Sequence, residues 1–210
     1  MPESRLLPSA LIALLVALAF IVALDQPLAR WIATRETYPQ FWNTGVDYLE
    51  YGLGIVPYKW TGVWILTVGT IVTLAIPRLR AAAFAFALIA FVHFSGWVLY
   101  PWLKLAFGRL RPAEWLKKGG DTFWHHNAWG FPSGHAVLFG SIVVPLAVMY
   151  PRTRPLLAIV VFAMTARVMV SAHFISDVLA GYAVVALLTW AFVRLLRRVP
   201  TLPIPPGCRR

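Results

Sequence analysis

The sequence has almost no cysteine and little charge, and these two shortages limit the kind of protein it can be. Cys208 is the only cysteine among 210 residues, which excludes a disulfide framework and a metal centre built from cysteines. Charged residues make up 13% and hydrophobic residues 60%, whereas a soluble domain averages about 25% charged and about 45–50% apolar residues. The composition therefore excludes a disordered chain, a collagen-like fibre and an ordinary soluble enzyme, and it indicates a protein whose solvent is a lipid bilayer.

Acidic residues are also scarce, and the net charge is +11. A basic protein can bind nucleic acid, but in a membrane protein basic loops more often set the topology or meet anionic lipid. We therefore expect membrane lipids around the chain and no nucleic-acid partner. The sequence carries no sign of an oligomeric state.

Six apolar runs are long enough to cross a bilayer, which takes about 20 mostly apolar residues, or fewer where the ends snorkel. They cover residues 6–24, 60–76, 81–103, 134–150, 155–172 and 177–194. The first run is longer than the core of a usual signal peptide, about 7–15 residues, so we interpret it as an uncleaved anchor. The sequence thus predicts an all-α fold, in which residues 1–210 form a single integral membrane bundle of six transmembrane helices.

An even number of spans puts both termini on the same side of the membrane. The only acidic residue of that side is Glu3, and its basic residues are Arg5, Arg78, Arg80, Arg152, Arg154, Arg194, Arg197, Arg198, Arg209 and Arg210. By the positive-inside rule, both termini are expected in the cytoplasm. The small size and compact loops favour a bacterial inner membrane, with the opposite face toward the periplasm or cell exterior.

Two polar segments complete the predicted topology. In the first outer loop, residues 25–59, Leu28, Trp31 and Ile32 share one helical face, which predicts interfacial helices. Such a loop is either a lid with an aromatic belt or part of a wall through which lipid reaches the protein. The segment 199–210 contains four prolines and is predicted to be a flexible cytoplasmic tail.

The unusual polar residues occur at three places that this topology puts on the outer face. Lys104, Arg109 and Arg111 follow the third span. Pro132-Ser133-Gly134-His135 opens the fourth, and Arg167, His173 and Asp177 flank the turn between the fifth and sixth. A charge inside an apolar span costs at least about 2.5–3.5 kcal/mol, so Arg167 is expected to meet an anion or Asp177. A pair with Asp177 would serve only to tie helices together.

The helix start at residues 132–135 suits an anion. Ser133 can cap the helix, Gly134 lets a ligand approach the backbone, and the free N–H groups of a helix start attract negative charge. Arginine and lysine side chains bind phosphate oxygens as a planar fork and as a point charge, respectively. The three places together predict a phosphate site.

The histidines indicate catalysis rather than binding alone. His173 and Asp177 are four residues apart, so on a helix the carboxylate can accept from one imidazole nitrogen and leave the other free as a nucleophile. His135, which has no carboxylate at helical spacing, suits proton donation. His93 is interpreted as structural. Carboxylates are too few near the motifs for a two-metal site, so we expect no metal and no cofactor.

The order Lys-x6-Arg-Pro, Pro-Ser-Gly-His and Arg-x5-His-x3-Asp, at residues 104–112, 132–135 and 167–177, resembles the type-2 phosphatidic acid phosphatase superfamily. Ala166 stands where that family usually has serine. The resemblance implies that His173 attacks phosphorus to form a phosphohistidine, Asp177 orients it, and His135 protonates the leaving oxygen and then activates water. It also implies that the phosphoryl oxygens are held by Lys104, Arg111, Arg167, Ser133 and Gly134.

The resemblance implies an integral membrane lipid phosphatase acting on a phosphomonoester or diphosphate of an outer-leaflet lipid. Candidate substrates are phosphatidylglycerophosphate, phosphatidic acid, an undecaprenyl diphosphate and a lipid A phosphate. Two alternatives stay open: a phosphotransferase that passes the phosphoryl group to a second lipid, and a non-catalytic lipid-phosphate carrier.

Overall fold

The computed structural model describes residues 3–52, 60–200 and 202–208, and these contain helices and no strand, which confirms the all-α prediction. The main helices are α1 (Leu6–Ala19), α2 (Asp25–Ala33), α3 (Pro39–Gly52), α4 (Thr61–Ala75), α5 (Arg80–Phe107), α6 (Pro112–Lys118), α7 (Gly134–Met149), α8 (Leu157–Met169) and α9 (Ile175–Leu196). A π-helical stretch, Phe20–Leu24, joins α1 to α2, and short 3₁₀ turns lie at Glu3–Arg5, Pro77–Leu79, Pro151–Leu156 and Pro206–Cys208.

Three helices are long and apolar enough, by length and composition, to cross a membrane: Glu3–Ala33, Pro77–Lys118 and Ile175–Leu196. α4 and α7 are shorter apolar helices, and α8 is shorter still. Large apolar side chains such as Leu15, Val22 and Trp64 are exposed on these helices, as expected where lipid replaces water. The long helices support a membrane protein, while the crossing of the bilayer by all six apolar runs stays a prediction.

α9 is the centre of the bundle and packs against α1, α5 and α7. α1 meets it through small buried residues, Ala10, Ala13 and Ala17, which let two helix backbones approach closely in a membrane. Gly181 of α9 lies against the start of α7, where a Cβ on it would be 2.7 Å from the Cβ of Ala136 and 2.9 Å from the carbonyl oxygen of Ser133. The second and third motifs are thereby brought side by side.

The loop after α5 folds back on itself, so that residues 122–125 lie against residues 108–110. Gly108 ends α5 in the left-handed region, with φ +48°, and a Cβ on it would lie 2.5 Å from the carbonyl oxygen of His125. Both constraints favour glycine here. The His125 N–H donates to the Gly108 carbonyl at 2.7 Å, and the Leu110 N–H donates to the Thr122 carbonyl at 2.8 Å. These bonds hold residues 108–111, which belong to the first motif, in a fixed position.

The first outer segment differs in part from the predicted set of interfacial helices. α2 is a direct continuation of the first helix, whose full length is Glu3–Ala33, and only α3 is a separate helix. α3 packs against α8, with Val46 buried among α7 and α8 side chains. Residues 53–59 of the predicted outer loop lie outside the described residues.

The C-terminal segment also differs from the predicted flexible tail within residues 202–208. Leu202 and Cys208 are buried in the main core, and the Arg197 guanidinium donates to the Cys208 carbonyl. The prolines of this segment suggested flexibility. The segment nevertheless packs against α7. Cys208 is fully buried, so its thiol is not accessible on the surface.

Candidate functional site

His173 lies in the turn between α8 and α9 and is only 3% exposed. Its Nδ1 is 2.8 Å from the carbonyl oxygen of Gly130 and 3.4 Å from the Asp177 carboxylate. Both neighbours only accept hydrogen bonds, so Nδ1 carries the hydrogen and Nε2 carries the free lone pair. Asp177 was expected to hold this tautomer, but Nδ1–H donates its shorter hydrogen bond to the Gly130 carbonyl.

Burial lowers the pKa of His173 to about 4, while the hydrogen bond and charge of Asp177 act in the opposite direction. Because desolvation disfavours the charged form, the imidazole is neutral at ordinary pH. A neutral imidazole with a bare Nε2 is the form that can attack an electrophile.

Gly130 was not singled out from the sequence, yet it fixes the position of His173. Its N–H donates to the Arg109 carbonyl at 2.7 Å. A Cβ on Gly130 would lie 2.7 Å from the Arg109 carbonyl oxygen and 2.9 Å from that of Leu110. Only glycine therefore allows the backbone around residue 130 to approach the backbone of Arg109 and Leu110 so closely. This approach brings the Gly130 carbonyl within reach of His173.

Asp177 is completely buried and has partners on three segments. One carboxylate oxygen accepts from the Arg109 guanidinium, and the other accepts from the Phe174 N–H at 2.7 Å, which caps the start of α9. Its backbone carbonyl accepts from the Ser133 N–H at 3.0 Å. Asp177 thus ties the second motif, the third motif and the loop after α5 together.

Arg109 is the centre of a buried ion network that the sequence did not reveal. Its guanidinium bridges Asp177 and Asp25, with 2.8 Å to the Asp25 carboxylate, and donates to the Ser176 hydroxyl at 2.6 Å. The guanidinium also lies over the rings of Phe174 and Phe123, at 4.3 and 4.5 Å. One signal pointed to it: Asp25 directly follows an apolar run, where a carboxylate requires a partner.

Three predicted cations, Lys104, Arg111 and Arg167, act on one another, and Lys104 also acts on His173. Lys104 is buried and donates to the Trp129 carbonyl, Arg111 is half-buried where α6 begins, and Arg167 is half-buried on α8. Arg111 repels both Lys104 and Arg167, and Lys104 acts on His173. The structure therefore brings these predicted residues into one electrostatic site.

Of the two partners expected for Arg167, an anion or Asp177, the second is not found, because Asp177 is paired with Arg109. Among the described residues, the acidic groups that act on Arg167 are Glu50 and Asp47 of α3. The Nε of Arg167 is buried and has no hydrogen-bond partner among the residues that the structure describes. A buried donor without a partner is costly, and an anion bound beside Arg167 could remove that cost.

Ser133 and Gly134 form the predicted helix start. The Ser133 hydroxyl accepts from the Ala136 N–H at 3.5 Å, and both residues are buried. Gly134 lies under the ring of Tyr100, which would be 3.2 Å from a Cβ at that position. The start of α7 is thus capped and packed beside the turn that carries His173.

His135 has a carboxylate partner that the sequence reasoning missed. Its Nε2 is 2.7 Å from a carboxylate oxygen of Glu50 on α3, and both side chains are partly exposed. The hydrogen bond with His135 is the largest influence on Glu50 and lowers the pKa of that carboxyl. Local spacing could not reveal this pair, since its members are on different helices.

His93 and His125 have other partners. His93 hydrogen-bonds the Ser141 hydroxyl at 2.7 Å and accepts from the Trp97 indole at 3.2 Å, which agrees with a structural role. His125 contacts the Asp121 carbonyl in the outer loop. Over residues 3–52, 60–200 and 202–208, no group of three His, Cys, Asp or Glu side chains is arranged to hold a metal ion.

Fold and site together define a helical membrane protein with a cluster of cations around a neutral, buried histidine. A family model described as the PAP2 superfamily matches residues 80–200, which is more than half of the chain. The chain belongs to the PAP2 superfamily, and the resemblance of its three motifs to that family is confirmed.

Individual relatives give a narrower comparison. The chain is 40% identical over 97 residues to a lipid A 1-phosphatase of Rhizobium johnstonii, covering 44% of this chain and 39% of that protein. A lipid A 1-phosphatase of Rhizobium etli is 39% identical over 97 residues, covering 44% and 41%. The chain thus matches less than half the length of these curated relatives.

A solved structure extends the likeness of fold to nearly the whole chain. The crystal structure of a PAP2 type phosphatidylglycerolphosphate phosphatase from Bacillus subtilis has a TM-score of 0.59 and 18% identity, covering 93% of this chain and 97% of that one. At this identity the match shows the fold alone.

Proposed function

We propose that the chain is a membrane lipid phosphatase that hydrolyses a phosphomonoester or diphosphate of an outer-leaflet lipid through a phosphohistidine on His173. The observation that supports it most is the arrangement of Lys104, Arg111 and Arg167. These cations repel one another beside a neutral imidazole, and a phosphoryl group would offset that repulsion. Electrostatic stabilisation of phosphoryl oxygens is the main task in phosphoryl transfer.

In the first step, Nε2 of His173 attacks phosphorus, and the bond from phosphorus to the lipid oxygen breaks. The imidazolium of His135 donates a proton to the leaving oxygen, so a neutral lipid alcohol departs, or a lipid phosphate when the substrate is a diphosphate. Asp177 and the Gly130 carbonyl stabilise the positive imidazole that forms on His173.

In the second step, water attacks the phosphohistidine. His135, now neutral, takes a proton from the water, the nitrogen–phosphorus bond breaks, and inorganic phosphate leaves. Ser133 and the Gly134 N–H, at the start of α7, and the three cations hold the phosphoryl oxygens in both steps. The chemistry needs no metal or cofactor, because the cations supply the charge.

The proposed substrate is a lipid because the site adjoins an apolar surface. A groove of about 390 Å³ runs between α2, α8 and α9, and its lining includes Leu28, Trp31, Val168 and Ile175. This groove ends beside the turn that carries His173, so acyl chains could lie there while the phosphate reaches the cations. The two Rhizobium relatives make the 1-phosphate of lipid A the first candidate, ahead of phosphatidylglycerophosphate, phosphatidic acid and undecaprenyl diphosphate.

We propose six spans, with the site on the periplasmic or outer face of a bacterial inner membrane and both termini in the cytoplasm. The support is the excess of basic residues on the terminal side. All three motifs then lie at one depth, where a lipid headgroup would be.

Phosphate release from these four lipids by the detergent-solubilised protein tests the function. Acid-labile, base-stable label should appear on wild-type protein quenched after brief exposure to radiolabelled substrate, and it should be lost in His173→Ala. His126→Ala, a change in an exposed loop histidine, is the control and should behave as wild type. Label that persists in His173→Ala and vanishes in His135→Ala would reverse the two roles.

The same preparation separates the two alternatives. A phosphotransferase would move label from the donor lipid to an added acceptor lipid rather than to inorganic phosphate. A carrier would bind the lipid and release no phosphate from any of the four substrates. Either result would contradict hydrolysis as the activity.

A further inference from the structure

The contact between Glu50 and His135 points to a further positioning residue, and this inference rests on the proposed function. We infer that Glu50, carried by the outer helix α3, holds His135 in its protonated form and orientation, so that α3 completes the active site from outside the motif-bearing helices. The Nε2 of His135 is 2.7 Å from the Glu50 carboxylate. No motif of the chain includes α3.

α3 is docked firmly enough to position a side chain. Val46 is 1% exposed and packs among α7 and α8 residues. The Trp42 ring lies 5.4 Å from the ring of Phe162 on α8. Gly45 faces the same ring, and a Cβ on it would be 2.6 Å from the ring edge. This close approach places Glu50, on the last turn of α3, over the start of α7.

The charges around the pair favour a charge-assisted hydrogen bond. Arg167 of α8 acts on Glu50, and Asp47 of α3 acts on Arg167. His173, from the turn before α9, interacts with His135 but is neutral. The His135 imidazole and the Arg167 guanidinium both lower the pKa of the Glu50 carboxyl, so both favour its charged form.

This geometry assigns different tasks to the two nitrogens of His135. With Nε2–H donating to Glu50, Nδ1–H is the donor left for the leaving oxygen. Glu50 forms and breaks no covalent bond. It stabilises the positive charge before Nδ1 transfers its proton, and it still accepts from Nε2–H when the bare Nδ1 takes a proton from water.

An NMR titration tests the pair without relying on activity. In protein labelled with ¹³C at the glutamate carboxyls, the Glu50 signal is assigned by its loss in Glu50→Gln. Its titration midpoint should lie below that of the exposed Glu36 and should move up in His135→Asn, since the partner is lost. A midpoint that stays in place in His135→Asn would overturn the pairing.

Kinetics test the role, with Glu36→Gln as the matched control because it removes an exposed carboxylate of the same outer segment. Glu50→Gln should reduce turnover of an alkyl phosphate at neutral pH about tenfold or more, as expected when a general acid is impaired. An aryl phosphate, which leaves without a proton, should be affected much less.

Two kinetic results would overturn the inference. One is that Glu50→Gln behaves like Glu36→Gln with both substrates. The other is that alkyl and aryl turnover fall equally, which would mean that Glu50 only stabilises the fold. Absence of phosphate release by wild-type protein would instead contradict the proposed function, and the NMR titration would still decide the pairing.

Discussion

Replacing Arg109 by methionine removes the cation that lies between two buried carboxylates. Arg109 is 1% exposed, and methionine fills much of its apolar stem without the charge. Asp25 and Asp177 would then face each other without the guanidinium that bridges them. The Ser176 hydroxyl would also lose a donor.

The size of the effect follows from this burial. Removing one partner of a buried ion pair costs about 3–5 kcal/mol, because the other charge is left uncompensated. For a chain of this length each kcal/mol lowers the melting temperature by about 2–4 °C, so Arg109→Met should melt about 6–20 °C below wild type. Asp25→Asn should be milder, because Arg109 keeps Asp177 and one of two like charges disappears.

Thermal unfolding in detergent, followed by tryptophan fluorescence, measures these differences. Arg35→Met is the control, since Arg35 is exposed and lies over the Trp31 ring; surface changes of this kind are usually within about 0.5 kcal/mol. If Arg109→Met melts within about 2 °C of wild type, or if Asp25→Asn is the more damaging of the two, the reasoning from a buried bridging cation is refuted.

Burial lowers the pKa of His173 to about 4, and only the neutral imidazole can attack, so kcat/KM should fall as the pH drops through about 4; an acid limb near the ordinary value of about 6.5 would contradict this. Turnover should survive excess chelator and fall with vanadate, which can adopt a five-coordinate shape like the transition state; loss in chelator that magnesium restores would refute the metal-free mechanism. The topology predicts that an impermeant maleimide labels Lys118→Cys in intact spheroplasts and Arg152→Cys only after lysis. Both changes are made in a Cys208→Ser background, because Lys118 and Arg152 are exposed whereas Cys208 is buried. The reverse labelling pattern would mean that the orientation in the membrane is opposite to the proposed one.

The parts of the site that follow local rules could be predicted from the sequence. Ser133 was expected to cap a helix, and it does so because the free N–H groups of a helix start are within reach of a side chain three residues before them. His173 and Asp177 were expected to be neighbours because of their spacing on a helix; they are 3.4 Å apart, although His173 lies in the turn before α9. The long apolar runs likewise indicated the long helices directly.

Partnerships between distant segments could not be predicted in this way. Nothing near Asp25 in the sequence indicates that it reaches Arg109, and nothing near Glu50 indicates His135, because such pairs depend on how whole helices pack. The hydrogen bond that His173 donates to the Gly130 carbonyl leaves even less of a signal in the sequence, since every residue has a carbonyl. The sequence also could not tell which of Arg109, Arg111 and Arg167 would pair with Asp177.

The tail shows a different reason for failure. Four prolines between residues 199 and 210 suggested an extended segment, and proline does exclude a regular helix there. Proline does not prevent packing, however, and Leu202 and Cys208 are buried in the core. The proline content was therefore a guide to the secondary structure of this segment but not to whether its side chains are buried.

The continuous helix Glu3–Ala33 is long and apolar enough to cross a membrane, and it has an ion pair near each end. Glu3 is paired with Arg197 and Arg194 at one end, and Asp25 is paired with Arg109 at the other. Their separation of 22 residues corresponds to about 33 Å of helix, close to the thickness of a bilayer core, about 30 Å. One alanine inserted midway would shift Asp25 by about 1.5 Å and turn it by about 100°, so the helix length itself, and not only its side chains, determines whether the buried carboxylate can reach its arginine.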